Sequence, residues 1–137
     1  MNVLALVIGL TISLFIVYRF KKMGLQKSRW AYPILIGSFP LYYFGFALYS
    51  RDYKVVFYEF CVGLIFFILA YVSYKIKKTS AFLILGLLSI FHALYDYFHI
   101  HLFLNKGTPS WWIEFCGSID ICIGVYLLFL AFNYKKP

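Results

Sequence analysis

The sequence contains few charged residues. Only 13% of its 137 residues are Asp, Glu, Lys or Arg, whereas 64% are hydrophobic. Soluble domains average about 25% charged residues, which they need in order to cover a water-exposed surface. This shortage excludes an ordinary soluble domain. The length fits one domain over residues 1–137, and its solvent is predicted to be the lipid bilayer.

Several signatures of known chemistry are also missing. The three cysteines, Cys61, Cys116 and Cys122, lie in apolar runs without C-x-x-C spacing, which argues against a disulfide framework or a zinc knuckle. We therefore interpret them as small hydrophobic residues. No lysine lies deep in an apolar run, as a retinal Schiff base would require. The chain also has no phosphate-binding loop and no Gly-x-Ser-x-Gly elbow.

The net charge of +8 does not indicate a nucleic-acid partner. Nucleic-acid binding requires a continuous basic face on a folded surface. Here the basic residues form short clusters between apolar runs, as they do beside membrane spans. The clusters are Arg19, Lys21, Lys22, Lys27 and Arg29, then Lys75, Lys77 and Lys78, and finally Lys135 and Lys136.

Long apolar runs dominate the rest of the chain, and a span needs about 20 such residues to cross about 30 Å of hydrocarbon. The runs are continuous, unlike the alternating strands of about ten residues in a membrane barrel. The sequence therefore predicts an all-α, multi-pass transmembrane helix bundle of about five spans. These are residues 2–18, 30–50, 53–74, 79–101 and 111–134. In the second span, Pro33 and Pro40 predict a bend.

The basic residues also predict the orientation in the membrane. Ten of the 13 Lys and Arg residues fall on one side of the predicted bundle, and only Arg51, Lys54 and Lys106 fall on the other. Because cytoplasmic loops carry an excess of Lys and Arg, we expect the N-terminus outside and the C-terminus in the cytoplasm. The predicted location is the inner (plasma) membrane of the cell.

Every acid and histidine falls in the outer half of this predicted topology. At 1.5 Å per residue, Glu59 and Asp96 lie roughly 8 Å below the outer ends of their spans, and His92 and Asp120 about 13 Å. His99 lies nearer the surface and shares one helical stripe with His92 and Asp96. The full set is Asp52, Glu59, Asp96, Glu114 and Asp120, with His92, His99 and His101.

Such groups are expensive inside a membrane, where a charge at the centre costs about 2.5 to 3.5 kcal/mol on the mildest scale. They are therefore expected to pair, to share protons or to hold a cation. In a purely structural role they would form a hydrogen-bonded network that locks the helices together. The pairs expected in that case are His92 with Asp120 and His99 with Glu59.

The segment His92-Ala-Leu-Tyr-Asp96-Tyr-Phe-His99, followed by Pro109-Ser-Trp111, Cys116 and Asp120, resembles a family of small bacterial integral membrane proteins of unknown function. The resemblance covers residues 89–128 and implies no activity. The histidines and aspartates are more loosely similar to those of ceramidase and adiponectin-receptor-type membrane hydrolases. That similarity implies zinc held by histidines and an aspartate, although those enzymes have more spans and a paired His-x-x-x-His.

Three functions are consistent with these residues. In a metal-dependent membrane hydrolase acting on a lipid-like substrate, His92, His99 and Asp120 would bind a divalent metal such as zinc. Asp96 and Glu59 would be its catalytic carboxylates, with Glu59 as general base. In a binding or transport protein, the same groups would line a pocket, open to the extracytoplasmic side, for a proton, a metal ion or a small polar ligand.

The third function is that of an accessory subunit in a larger membrane complex, with the polar groups serving as contacts between helices. Assembly into a homo-oligomer would also complete a transport path that a single copy lacks.

Overall fold

The computed structural model describes residues 1–133, which form helices joined by short loops. The helices are α1 (Val3–Lys22), α2 (Ala31–Gly37), α3 (Pro40–Tyr49), α4 (Tyr53–Lys75), α5 (Lys78–Leu102) and α6 (Trp112–Asn133). Five segments are long and apolar enough to cross a membrane, namely α1, α2 with α3, α4, α5 and α6. This is the architecture of a multi-pass membrane protein, and it confirms the predicted number of spans. The basic residues Lys135 and Lys136 lie outside the described residues.

The outward surface of the bundle is apolar. Leu4, Phe15 and Phe129 are 70%, 61% and 58% exposed, and many other large apolar side chains also point outward. Water-soluble proteins rarely expose contiguous apolar patches of this extent. Lipid is therefore the environment that such a surface fits.

The second span is interrupted before Pro40. Pro40 has no N–H group with which to continue the helical hydrogen bonds, so α2 ends at Gly37 and α3 begins at Pro40. In the linker, the Phe39 N–H donates to the Ile36 carbonyl at 3.2 Å, an i to i+3 hydrogen bond that closes a tighter turn than the α-helical one. The linker keeps helical backbone angles, and the bend predicted from the prolines stays a prediction.

Helices α5 and α6 cross closely because glycines meet at the crossing. A Cβ atom on Gly86 would lie 3.1 Å from the Gly124 carbonyl oxygen, and a Cβ on Gly124 would lie equally near the Gly86 oxygen. Helix α1 packs against α6 in a similar way, because a Cβ on Gly9 would collide with the Phe115 carbonyl. Small residues at such crossings let two backbones approach.

Hydrogen bonds at both ends show that α1 and α6 run parallel. The Asn2 N–H donates to Glu114 Oε1 at 2.9 Å near the start of both helices, and Tyr126 donates to Gln26 Oε1 at 2.9 Å toward their other ends. We call the end of the bundle at Glu114 the acidic end. The opposite end, where Arg29 of the loop before α2 lies near Lys78 of α5, is called the basic end.

Candidate functional site

Two groups of polar side chains are buried in the half of the bundle nearer the acidic end. The first, here the inner cluster, consists of His92, Asp96, Cys116 and Asp120. The second, here the outer cluster, consists of Glu59, Tyr95, His99 and Asn105. They differ in how completely their hydrogen bonds are formed.

The inner cluster lies where α5 faces α6. His92 and Asp96 are one turn apart on α5, and Cys116 and Asp120 are one turn apart on α6, so each pair shares a face of its helix. His92, Asp96 and Asp120 are 0% exposed, and Cys116 is 5% exposed. One ligand atom from each residue lies within 4.8 Å of the other three. The fold thus brings four potential metal donors together, and all four are buried.

Distances within the inner cluster are short. His92 Nδ1 lies 2.7 Å from Asp120 Oδ2 and 3.6 Å from Asp96 Oδ1. The Cys116 thiol donates to Asp120 Oδ2 at 3.7 Å. Ser89 donates to the backbone carbonyl of Asp120 at 2.9 Å and so fixes the position of this residue on α6.

Several atoms of the inner cluster form no hydrogen bond of good geometry. These are His92 Nε2, both carboxylate oxygens of Asp96, and Asp120 Oδ1. The Asp96 carboxyl still lies near enough to the Tyr43 hydroxyl, the Cys116 thiol and Asp120 to interact with them. Buried polar atoms are normally paired, because leaving one without a partner costs about 1 to 3 kcal/mol. An additional cation, or additional protons on the carboxylates, would satisfy them.

The outer cluster, by contrast, has a fully paired carboxylate. Glu59 Oε2 accepts from the Tyr95 hydroxyl at 2.7 Å, and Glu59 Oε1 accepts from His99 Nε2 at 2.8 Å and from the Asn105 amide at 2.9 Å. Asn105 also donates to the Tyr43 carbonyl at 3.0 Å. This network joins α3, α4, α5 and the loop before α6, which is the geometry of a lock between helices.

Aromatic rings pack between and around the two clusters. The Tyr43 ring stacks on His99 with centroids 4.3 Å apart and lies 6.2 Å from the His92 ring. Phe39 and Phe66 flank His92, with centroids 5.7 and 5.0 Å away. The expected opening to the extracytoplasmic side stays a prediction.

The structure confirms the two pairs expected of a structural network, His92 with Asp120 and His99 with Glu59. Of the five residues predicted to form one site, it brings together His92, Asp96 and Asp120. His99 and Glu59 belong to the outer cluster instead, so His99 is not among the grouped donors around His92. The cause is helical geometry, since residues two turns apart contact different layers of the bundle.

The remaining polar residues of this half lie outside both clusters. His101 is exposed near the end of α5. Asp52 caps α4 by accepting from the Val55 N–H at 3.2 Å. Glu114 lies 3.8 Å from the N-terminal amine. Asp52 is thus accounted for as a helix cap, and Glu114 by its contacts with the first residues of the chain.

Sequence reasoning missed Cys116 as a member of the site and interpreted it as a hydrophobic residue. Its spacing of four residues before Asp120 is the signal that could have identified it, since this spacing places both side chains on one helix face. Asn105 and Tyr95 were also missed. Asn105 lies in a loop, and no periodicity connects it with Glu59.

Comparisons of the chain with family models, with curated proteins and with solved structures give no match. The resemblance of residues 89–128 to a family of small bacterial membrane proteins stays a prediction. The function is therefore inferred from the geometry and chemistry of the inner cluster.

Proposed function

We propose that this membrane protein binds a divalent transition-metal ion of the zinc class at the inner cluster. The observation that carries the proposal is the convergence of four buried donor side chains, several of whose polar atoms have no hydrogen-bond partner. The fully paired outer cluster in the same half of the bundle is an internal control. Its carboxylate has hydrogen bonds to both oxygens, whereas the inner cluster contains carboxylate oxygens without one, and a bound metal ion would explain this difference.

The donor types and their separations fit a zinc-like ion. Such ions accept imidazole nitrogen, thiolate sulfur and carboxylate oxygen at about 2.0 to 2.3 Å, so tetrahedral ligands lie about 3.3 to 3.8 Å from one another. The separation of 3.6 Å between His92 and Asp96 and that of 3.7 Å between Cys116 and Asp120 are close to this value. The contact of 2.7 Å between His92 and Asp120 is shorter. Metal entry would replace this hydrogen bond, with a small shift of the Asp120 carboxylate.

The charges of the cluster also favour a cation. Two carboxylates, Asp96 and Asp120, lie beside a single imidazole and are completely buried. Burying a carboxylate costs several kcal/mol unless it is paired and fully hydrogen-bonded. A divalent ion would balance the charges of the two carboxylates. It would bind the Cys116 sulfur as a thiolate, with release of its proton, and the occupied site would then carry a net charge of −1.

The arrangement favours holding a metal over hydrolysis. A catalytic zinc has three protein ligands and an open position for water, whereas closed sets of four protein donors are typical of structural sites. The inner cluster offers four donors. Glu59, the expected general base, has both carboxylate oxygens engaged in the outer cluster. A structural metal site therefore fits the geometry better than cleavage of a lipid-like substrate.

Proton binding is a second candidate function. The hydrogen bond of 2.7 Å between His92 and Asp120, with the Asp96 carboxyl beside it, is an arrangement in which protons can be shared without any metal. Chains of Asp and His at membrane depth serve as proton relays in other membrane proteins. Metal analysis separates this function from the first.

For the membrane orientation, we propose that the acidic end faces the extracytoplasmic side of the inner (plasma) membrane. The separation of charge along the bundle supports this orientation. Arg29, Lys75 and Lys78 lie toward the basic end, whereas the acids lie in the other half. The inner cluster would then be in the outer half of the membrane.

The experiment is elemental analysis of protein purified without chelators, incubated with Zn²⁺ and freed of excess metal. Wild type is compared with a His92→Ala, Asp120→Asn double variant and with Glu59→Gln. We expect close to one metal ion per chain in wild type and in Glu59→Gln, and none in the double variant. Absence of metal from all three proteins would refute the metal proposal and favour proton binding.

A further inference from the structure

An apolar groove runs along the outside of the bundle, toward the basic end. Its walls are Pro33, Ile34 and Gly37 on one side and Phe67 and Tyr71 on the other. The groove has a volume of about 520 Å³ and is separate from both polar clusters. It is large enough for part of a flexible hydrocarbon chain.

The groove lies beside the interruption of the second span. Helix α2 ends at Gly37 and α3 starts at Pro40, and Gly37, Ser38 and Leu41 all line the groove. Gly37 contributes no side chain to fill the space, and a Cβ on it would lie in van der Waals contact with Ala70, 3.4 Å away. The glycine at the end of α2 thus leaves room for the groove.

Basic side chains border the groove at the basic end. The Lys75 ammonium lies 5.3 Å from the centroid of the Tyr71 ring and 5.2 Å from that of the Tyr74 ring, and both rings line the groove. An adjoining hollow shares Pro33 with the groove and contains Arg29. Trp30 and Tyr74 line the same end of the groove, and such amphipathic rings favour the headgroup level of a membrane.

No acidic residue is available to neutralise this end. All five acids belong to the other half of the molecule: Asp52 and Glu59 at the start of α4, Asp96 toward the end of α5, and Glu114 and Asp120 in the first turns of α6. A bound anion would therefore meet positive charge without a competing carboxylate.

We propose that the groove binds an anionic phospholipid, with one acyl chain between α2 and α4 and the phosphate group near Arg29 and Lys75. The apolar walls match the chain, and the basic border matches the headgroup. Basic residues near the membrane surface favour anionic lipids by about five-fold each, or about 25-fold for two. Zwitterionic lipids of the same chain length share the apolar contacts and lack this gain.

The test is competition between two lipids in nanodiscs made from equal amounts of phosphatidylglycerol and phosphatidylcholine. Native mass spectrometry then identifies the lipid that stays bound after release of the protein. We expect wild type to retain phosphatidylglycerol in about 25-fold preference. Arg29→Gln with Lys75→Gln should lose this preference, whereas Arg51→Gln with Lys54→Gln, the same charge change at the acidic end, should keep it.

A second pair of variants tests the acyl-chain contact. Ile34 lines the groove and is 62% exposed, while Ile65 on α4 lies outside it and is 58% exposed. Ile34→Trp should reduce the amount of retained phosphatidylglycerol several-fold, and Ile65→Trp should leave it unchanged. Equal retention of both lipids by wild type would overturn the proposal. Equal loss in both charge variants, or in both tryptophan variants, would also overturn it.

Discussion

Replacing Asp120 with Asn separates metal binding from structural pairing more clearly than any other single change. Asp120 is completely buried, and its Oδ2 accepts from both His92 and Cys116. Asparagine has nearly the same shape, and its carbonyl can still accept from His92, but it carries no charge. The variant also leaves one buried carboxylate, Asp96, where wild type has two. Without metal, we therefore expect the variant to be at least as stable as wild type.

The expected effect of added zinc on this variant can be estimated. At a zinc concentration 100 times Kd, a site stabilises the folded state by about 2.7 kcal/mol. Altering residues that merely orient a ligand costs about 10- to 100-fold in affinity, so losing a ligand should cost at least about 100-fold. The same zinc concentration would then equal Kd for the variant and stabilise it by only about 0.4 kcal/mol. For a chain of this length, the difference corresponds to roughly 10 °C in Tm.

Thermal unfolding in detergent, with and without zinc, measures this difference directly. Wild type should gain roughly 10 °C in Tm and Asp120→Asn roughly 1 to 2 °C. An equal zinc-dependent shift in both proteins would show that the metal binds elsewhere. A large loss of stability in the variant without metal would show that the inner cluster is a structural lock like the outer one.

Four further changes test other parts of the structure. Glu59→Gln removes a carboxylate that accepts three hydrogen bonds, so it should lower the free energy of unfolding by about 1 to 3 kcal/mol. It should leave the zinc-dependent shift in Tm unchanged. An unaltered Tm would contradict the proposed lock between helices. Asn105→Ala should release the loop before α6, seen as faster hydrogen–deuterium exchange over residues 103–111, and unchanged exchange would argue against its role. Gly9→Leu should lower Tm by forcing α1 away from α6, whereas Gly45→Leu, where a Cβ meets nothing within 4 Å, should not. A cysteine introduced at the exposed Lys106 should react with a membrane-impermeant maleimide added to intact cells, and a lack of labelling would refute the predicted orientation.

Much of the fold follows from the sequence because lipid imposes a simple pattern. Continuous apolar runs of about 20 residues can satisfy their backbone hydrogen bonds in lipid only as helices, so the sequence alone predicts all five spans. Estimated depth also placed His92 level with Asp120, since 1.5 Å per residue holds within each span, whereas the pair of His99 with Glu59 was expected from the need to pair buried polar groups. The first of these expectations depends on regular geometry and on little else.

The remaining parts of the site could not be predicted, because they depend on the path of a loop or on which of several roles a residue type takes. Nothing in the sequence brings Asn105 to Glu59, because the path of a loop is set by its packing against Tyr43 and its neighbours. Cys116 was predicted to be apolar because thiols usually are, and only its distance from Asp120 shows another role. His99 was grouped with His92 because they share a helical stripe, although a stripe crosses several layers of the bundle.

The placement of the inner cluster has a consequence for how the protein is made. All four of its residues belong to α5 and α6, which are synthesised after α1 to α4. The rings packed around His92, those of Phe39, Tyr43 and Phe66, precede α5 in the chain and are synthesised before it. The aromatic side chains around His92 are therefore present in the nascent chain before any residue of the inner cluster, and the four donors follow within α5 and α6. A metal bound at the inner cluster would be acquired only after both of these helices have been made.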